Sequence, residues 1–366
     1  MIRKAVWLSS LIVVGLLFKA VLFHRLLGPA SAGLGPEKSG SAAVREKERG
    51  VSWVAGRPVG PEQLVSLLDN HVNWIVQTPF GWQRDVDSPE IRMATGGRVL
   101  WGESDEGLEE TTRLAKTAGI KVMLKPHIWL TRAGEGKWRA QIEMKNEEDW
   151  RQWFGQYRLF MLHYARLAER CGIEALCIGT ELHQAAVLRE SDWRSLIADI
   201  RSEYKGRLTY AANWYREFEE VRFWDDLDVI GIQAYFPLAN QASPSLETLK
   251  AGWQPHVAAI EKVRSRFDKQ IVFTEIGYRA MPDSAIEPWL WPERTREPAE
   301  EAGLRNQAVC FEAFFQTFWH RDWFAGAYMW KWFPHYSPDR YGQSRGFSPQ
   351  GKPAETVMRR WYAEHP

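Results

Sequence analysis

The chain has 366 residues, 47 Lys plus Arg against 46 Asp plus Glu, and 45% apolar residues, the composition of a large folded body and not of a disordered chain. A formal net charge of +1 gives no overall basic character for holding nucleic acid, so no nucleic-acid partner is expected. Three cysteines, Cys171, Cys177 and Cys310, without C-x-x-C spacing exclude a disulfide scaffold and a cysteine zinc ribbon. Tryptophan, at 20, outnumbers Phe at 17 and Tyr at 11. Indoles stack on the apolar faces of sugar rings and also fill cores, so the excess raises the expectation of a carbohydrate site while leaving most of these side chains to packing.

Arg3 and Lys4 precede an apolar run, Ala5 to Phe18, which resumes at Ala20 to Phe23 after Lys19. With Ala30-Ser31-Ala32 as a candidate cleavage site, residues 1–32 read as a signal peptide. The stretch Ala5 to Leu27 is also long enough to serve as an uncleaved membrane anchor, although Lys19 sits badly in a centred span. Either way the protein is expected to be exported, to the periplasm or the exterior. No cysteine lies nearby for lipid attachment. Residues 33–50, rich in Gly, Ser, Ala and charged side chains, read as a flexible linker, and the folded domain is expected over 51–366.

Strands and helices then alternate. Val51 to Ala55 is a first short strand, and Pro61 to His71 has helical spacing at Leu64, Leu67 and Leu68. Trp74 to Thr78 is a second strand, Leu108 to Ala118 a helix closed by Gly119, and Lys121 to Lys125 a third strand. Asp149 to Cys171 is a long amphipathic helix closed by Gly172, followed by a fourth strand at Glu174 to Gly179 and a helix over Asp192 to Tyr204. Leu208 to Ala212 and Val229 to Gln233 are the fifth and sixth strands, with only a turn or two between them near Phe218 to Trp224. Leu246 to Phe267 is helical with a break at Pro255, Ile271 to Thr274 is the seventh strand, Glu300 to Trp319 a helix, and Phe324 to Trp330 the eighth strand. Eight strands separated by helices predict a parallel (β/α)8 barrel. An open doubly wound sheet is the alternative, but the Gly-rich phosphate loop it usually carries after its first strand is missing from the sequence.

In such barrels functional side chains lie just past the C-terminal ends of the strands. Those positions hold Trp82, then His127 and Trp129, then Thr180, Glu181 and His183, then Asn213 and Trp214, then Tyr235, then Glu275, and finally Trp330. Glu181 and Glu275 directly follow apolar strands, in Ile-Gly-Thr-Glu and Val-Phe-Thr-Glu. A carboxylate there is costly to bury unless paired or used. Two facing carboxylates suit glycoside hydrolysis, one protonating the leaving oxygen while the other attacks or activates water. The competing structural role is an ion pair for each at the barrel mouth. A metal held by Glu181, His183 and His127 fits poorly, because no H-E-x-x-H or Asp-rich loop accompanies them, and no metal or other cofactor is expected. No G-x-S-x-G elbow supports a serine nucleophile, and Cys177, inside the fourth strand, reads as a small core residue.

Ile-Gly-Thr-Glu-Leu at 178–182, Phe-Thr-Glu-Ile-Gly-Tyr at 273–278, Gly-Phe-Ser-Pro-Gln-Gly-Lys-Pro-Ala at 346–354 and the Trp-Lys-Trp-Phe stretch after the eighth strand together resemble glycoside hydrolase family 113 over Val51 to Tyr362. That is a clan A family of retaining β-mannanases. The resemblance implies that Glu181 is the general acid/base and Glu275 the nucleophile. It implies that Tyr235 bonds the nucleophile and that Trp330 floors the reacting sugar. Asn213, His127, Trp82, Trp129 and Trp214 are implied less directly, as subsite walls, and the partner as an oligo- or polysaccharide, β-1,4-mannan or glucomannan first. Thr180 stands where most clan A enzymes carry an Asn that contacts the sugar 2-hydroxyl. A hydroxyl reaches less far than an amide, so substrate specificity is where this sequence departs from the pattern. Hydrolysis of another β-glycan and a non-catalytic carbohydrate-binding barrel of the cell envelope are the other two readings.

Overall fold

The computed structural model describes residues 46–93, 99–134, 136–291, 297–337 and 343–364. The expected signal peptide or anchor, and the linker up to residue 45, lie outside the described residues. Eight parallel strands close into a barrel: β1 (Glu48–Trp53), β2 (Trp74–Gln77), β3 (Lys121–Leu124), β4 (Ala175–Thr180), β5 (Arg207–Asn213), β6 (Ile230–Gln233), β7 (Ile271–Ile276) and β8 (Phe324–Trp332), each paired with its sequence neighbours and β1 with β8. β1 starts at Glu48, so the last three residues of the expected linker belong to the barrel.

Because helices cover the outside and side chains fill the inside, the strands are buried on both faces and read as unbroken apolar runs. The interior holds Trp74, Val76, Met123, Ala175, Cys177, Ala211, Val229, Val272 and Tyr328, contributed two residues apart along the strands that give more than one. Cys177 is fully buried among them, as a core residue. Gly50 is required at its position, since a Cβ there would lie 2.2 Å from the Tyr328 ring. The floor of the barrel is polar: the Tyr328 hydroxyl donates to Glu48 Oε2 at 2.6 Å, and Arg207 pairs with Glu48 Oε1 at 2.5 Å while lying over Trp74.

The outer layer is set by ordinary helix signals. Asn146 caps the helix Glu147–Cys171 by accepting from the Asp149 N–H, three acidic residues occupy its first turn, and Gly172 ends it at φ 63°. Ser104 and Ser245 cap Asp105–Thr117 and Leu246–Phe267 in the same way. Many of the tryptophans go to packing: Trp153, Trp193, Trp224, Trp253, Trp319 and Trp332 are fully buried.

Three local expectations change. The helix Leu246–Phe267 continues through Pro255 without the expected break. The segment Pro61 to His71 divides into a 3-10 turn, Pro61–Leu64, and a short helix, Val65–Asp69. A second, three-stranded sheet stands on the barrel mouth, built from Phe80–Gln83, Ile91–Met93 and His127–Leu130, where loop residues were expected. Pro79 and Pro126 explain it. Each lacks an N–H, interrupts the barrel ladder after β2 or β3, and lets the chain turn off and pair again, with the His127 N–H donating to the Pro79 carbonyl at 2.9 Å. Among the described residues no helix is long and apolar enough to cross a membrane.

Candidate active site

β7 places Glu275 at its C-terminal end, where the side chain is almost completely buried. Oε1 accepts from Lys125 Nζ at 2.5 Å, and Oε2 accepts from the Tyr235 hydroxyl at 2.8 Å. Lys125 follows β3 and is itself fully buried; its ammonium also donates to the Thr274 carbonyl at 3.2 Å and to Gln233 Oε1 at 3.4 Å. His127 Nε2 lies 4.0 Å from Glu275 Oε1. Burial by itself would raise the Glu275 pKa, but the Lys125 charge and the hydrogen bonds from Lys125, Gln233 and Tyr235 outweigh it and hold the carboxyl below its ordinary value. Burial, with Lys125 and Arg139 nearby, pushes His127 well down, so the imidazole is neutral.

Glu181 sits one residue past β4 with a left-handed backbone, φ 53°, a conformation that costs a non-glycine residue about 1–2 kcal/mol. The turn lifts the carboxylate off the strand line into the mouth. There Oε1 accepts from Asn213 Nδ2 at 2.8 Å, and Oε2 accepts from Arg139 Nη2 at 3.0 Å and Nε at 3.2 Å. Burial raises the Glu181 pKa, Arg139 opposes it, and the negative charge of Glu275 raises it further; the net direction is up. The two glutamates therefore occupy one mouth with their acidities pushed apart, the arrangement that assigns acid and base roles to two like groups.

A buried network fixes the Asn213 amide. Its own N–H donates to Glu217 Oε2 at 2.6 Å, and Asn213 Oδ1 accepts from the Tyr215 N–H at 2.8 Å. Tyr210 donates to Glu217 Oε1 at 2.5 Å and accepts from the Leu182 N–H, tying the turn after Glu181 to the same carboxyl. Burial pushes the Glu217 pKa up to about 8.

Glu181, Glu275, Tyr235, Asn213 and His127 thus come together at the mouth. The aromatic residues spread around them. Phe80 meets His127 edge-on at 5.5 Å and Trp129 at 5.9 Å, with Trp82 tilted against it at 6.3 Å. Across the mouth, Trp214 stacks on Trp289 at 5.1 Å, and Trp330 meets Trp291 edge-on at 6.5 Å. Thr180 is buried, with its hydroxyl 4.0 Å from the Cys177 thiol. His183 opens a short helix and bonds Glu220 at 2.6 Å.

Four contributors escaped sequence reading. Lys125 looked like the polar end of a strand, just as the exposed Lys121 does at its other end. Arg139 lies in the long loop after the third strand, and nothing local marks it. Trp289 and Trp291 come from the loop after β7, whose Pro-Trp-Leu-Trp run was the visible hint.

A parallel eight-stranded barrel with two buried, oppositely tuned glutamates at the C-terminal mouth is an arrangement suited to glycoside hydrolysis. The model of glycoside hydrolase family 113 matches residues 54–352, and the chain belongs to that family. Among solved structures, a GH113 β-1,4-mannanase is 27% identical, with TM-score 0.73, covering 87% of this chain and 99% of its own. The GH113 β-mannanase AaManA from Alicyclobacillus acidocaldarius, in complex with ManMIm, is 30% identical, with TM-score 0.73, covering 89% of this chain and all of its own. A Ruminococcus gnavus β-glucuronidase, at 12% identity and TM-score 0.55 over 86% of this chain and 50% of its own, shares the fold alone. Among curated protein sequences none matches this chain significantly.

Proposed function

We propose that the protein hydrolyses β-glycosidic bonds with retention, β-1,4-mannan or glucomannan being the first substrates to test. Glu275 attacks the anomeric carbon and forms a covalent glycosyl-enzyme while Glu181 protonates the leaving oxygen. Glu181 then takes a proton from water, which attacks the same carbon and releases Glu275. The observation that carries this reading is the unequal treatment of the two carboxyls. Lys125 and Tyr235 keep Glu275 ionised, as a nucleophile must be, whereas burial and the Glu275 charge keep a proton available to Glu181. Tyr235, through its hydrogen bond, aims one Glu275 oxygen and leaves the other facing Lys125. Trp330, Trp82, Trp129 and Trp214 supply stacking surfaces for sugars on either side of the scissile bond, and His127 and Asn213 supply polar contacts. Thr180, with its hydroxyl turned to Cys177, leaves the 2-hydroxyl to other groups, and this is where mannan and a different β-glycan would be told apart. On this reading residues 1–32 act as a signal peptide or anchor that exports the barrel to where polysaccharide is found.

The test is release of new reducing ends from mannan, glucomannan and a panel of other β-glycans by the full chain, with Glu181→Gln and Glu275→Ala alongside. Cleavage of mannan or glucomannan that disappears in both variants is expected. Cleavage of only another β-glycan would replace the substrate, and tight binding without hydrolysis on any glycan would replace the enzyme with a binding protein.

Arg139 gives a second prediction. Glu181 faces the cation of Arg139, the charge of Glu275, the Asn213 amide, and across the network Glu217 and Tyr235. Arg139→Gln removes the only one of these that is cationic and holds the proton off. The Glu181 pKa then rises, and because the acid must be protonated for the first step, the alkaline limb of kcat/KM moves to higher pH. An unchanged limb in a variant of normal thermal stability would mean that Arg139 does not act on Glu181 in solution.

A further inference from the structure

The second sheet presents two different faces. Gly81 and Gln83 turn toward the long helix: a Cβ on Gly81 would lie 2.9 Å from Phe160, and Gln83 Oε1 accepts from Trp153 Nε1 at 2.9 Å. Alternation therefore puts Phe80, Trp82 and Arg84 on the other face of one strand and His127 and Trp129 on that of its neighbour. Register aligns them in rungs, Phe80 with His127 and Trp82 with Trp129, while Arg92 opposes Trp82 on the antiparallel edge strand. This face starts 4.0 Å from Glu275, at His127, and runs outward through half-exposed indoles.

Its far end is cationic. A cleft of about 730 Å³ is lined there by Trp82, Arg84, Arg92 and Arg132, with Glu90 as its one carboxylate. The Arg132 N–H donates to the Arg84 carbonyl at 2.8 Å, which keeps these two arginines side by side. Arg92 touches Glu90 at 3.4 Å; Arg84 and Arg132 have no carboxylate partner among the described residues. The nearby acids are occupied elsewhere, Asp87 by Lys145 at 2.6 Å and Asp85 by the Val86 N–H at 2.7 Å. Arg194, by contrast, is matched to Glu190, Asp225 and Asp226.

We propose that this face is a tract for a glycan bearing acidic groups, sugars stacking on Trp82 and Trp129 while carboxylate or sulfate substituents reach Arg84, Arg92 and Arg132. Guanidinium groups suit that role because their planar donor forks match such anions in pairs. A neutral mannan would use the indoles and leave the arginines idle. The proposal rests on the catalytic reading for the direction of the chain, which runs from Glu275 outward, but binding needs no turnover.

The test is calorimetric titration of the full-length Glu275→Ala protein with two oligomers that differ only at C6: β-1,4-mannohexaose and the hexamer of β-1,4-mannuronate. The uronate is expected to bind about tenfold more tightly at low salt, with the advantage collapsing near 0.5 M salt. Arg84→Ala/Arg132→Ala is expected to bring the uronate down to the affinity of the neutral oligomer, whereas Trp129→Ala weakens both. Mannohexaose carrying sulfate esters, if it binds as tightly as the uronate, assigns recognition to charge; if it does not, to the carboxylate itself. Equal affinity for the neutral and acidic hexamers, an undiminished preference in the double arginine variant, or no binding of either oligomer would overturn the proposal. Failure of the unaltered protein to hydrolyse any of these glycans, with this binding pattern intact, would instead count against the catalytic reading.

Discussion

Glu275→Ala is expected to lower kcat on the order of 10⁴-fold or more, since deleting the nucleophile of a covalent mechanism removes the step on which the other groups act. The cavity left by the carboxylate lies on the face opposite the leaving group. Azide entering it attacks the anomeric carbon directly, so a β-glycoside with an activated leaving group gives an α-glycosyl azide and part of the rate returns. Glu181→Gln differs in kind. A leaving group that needs no proton, such as a dinitrophenolate, departs at nearly the original rate, and the second step, which needs a base, becomes limiting. The product anomer is read by NMR. A β-azide from Glu275→Ala, or activity near that of the unaltered protein, would remove Glu275 from the role.

Lys125→Met should be almost as damaging, for an electrostatic reason. The ammonium is fully buried and 2.5 Å from Glu275 Oε1. Removing one member of a buried pair strands the other, at a cost of about 3–5 kcal/mol. In the unaltered protein the folded-state pKa of Glu275 is depressed, so the pair stabilises the fold above the unfolded carboxyl pKa of about 4.3 and that stabilisation is lost as pH falls through the lower, folded value. In the variant, burial is opposed only by the hydrogen bonds from Gln233 and Tyr235, and the folded pKa is expected to lie above the unfolded one. The thermal midpoint should then fall most at neutral pH, and the two proteins should converge in acid, where Glu275 is protonated in both states. Because the nucleophile must be ionised, the acid limb of kcat/KM moves to higher pH, with kcat at pH 6 down on the order of 10²-fold. Thermal scans and rate profiles from pH 4 to pH 9 measure both. A variant with an unshifted acid limb would show that Lys125 serves the fold without tuning the nucleophile.

The parts of this molecule that are written locally were legible before the structure. Each barrel strand is buried on both faces and so appears as an apolar run, and Glu181 and Glu275 stand out because a carboxylate directly after such a run must be paired or used. Tyr235 followed by the same positional rule. Lys125 did not, because Lys121 and Lys125 bracket β3 alike in sequence; Lys121 is exposed and Lys125 is fully buried, a difference made by which end of the barrel each one meets. Arg139 reaches Glu181 through a 42-residue separation that no pattern encodes. The second sheet was half-written: Pro79 and Pro126 are each followed by an aromatic, an intervening residue and a tryptophan, a repetition that matched pairs of strands produce. Pro255 misled because its missing N–H was weighed locally, while Trp253, Val257 and Ile260, buried on either side of it, hold the helix together.

The two prolines also separate the molecule's obligations. On their barrel side, Lys125 contacts Glu275 directly, and any change there is felt by that carboxylate. On their far side lies the face proposed above for the glycan, and replacing its side chains leaves the barrel ladder untouched. A lineage, or an engineer, can therefore exchange Trp82, Arg84, Arg92, Trp129 or Arg132 to follow a new polysaccharide while the bond-breaking apparatus is inherited whole, with two single-residue joints marking where heritable taste ends and obligatory mechanism begins.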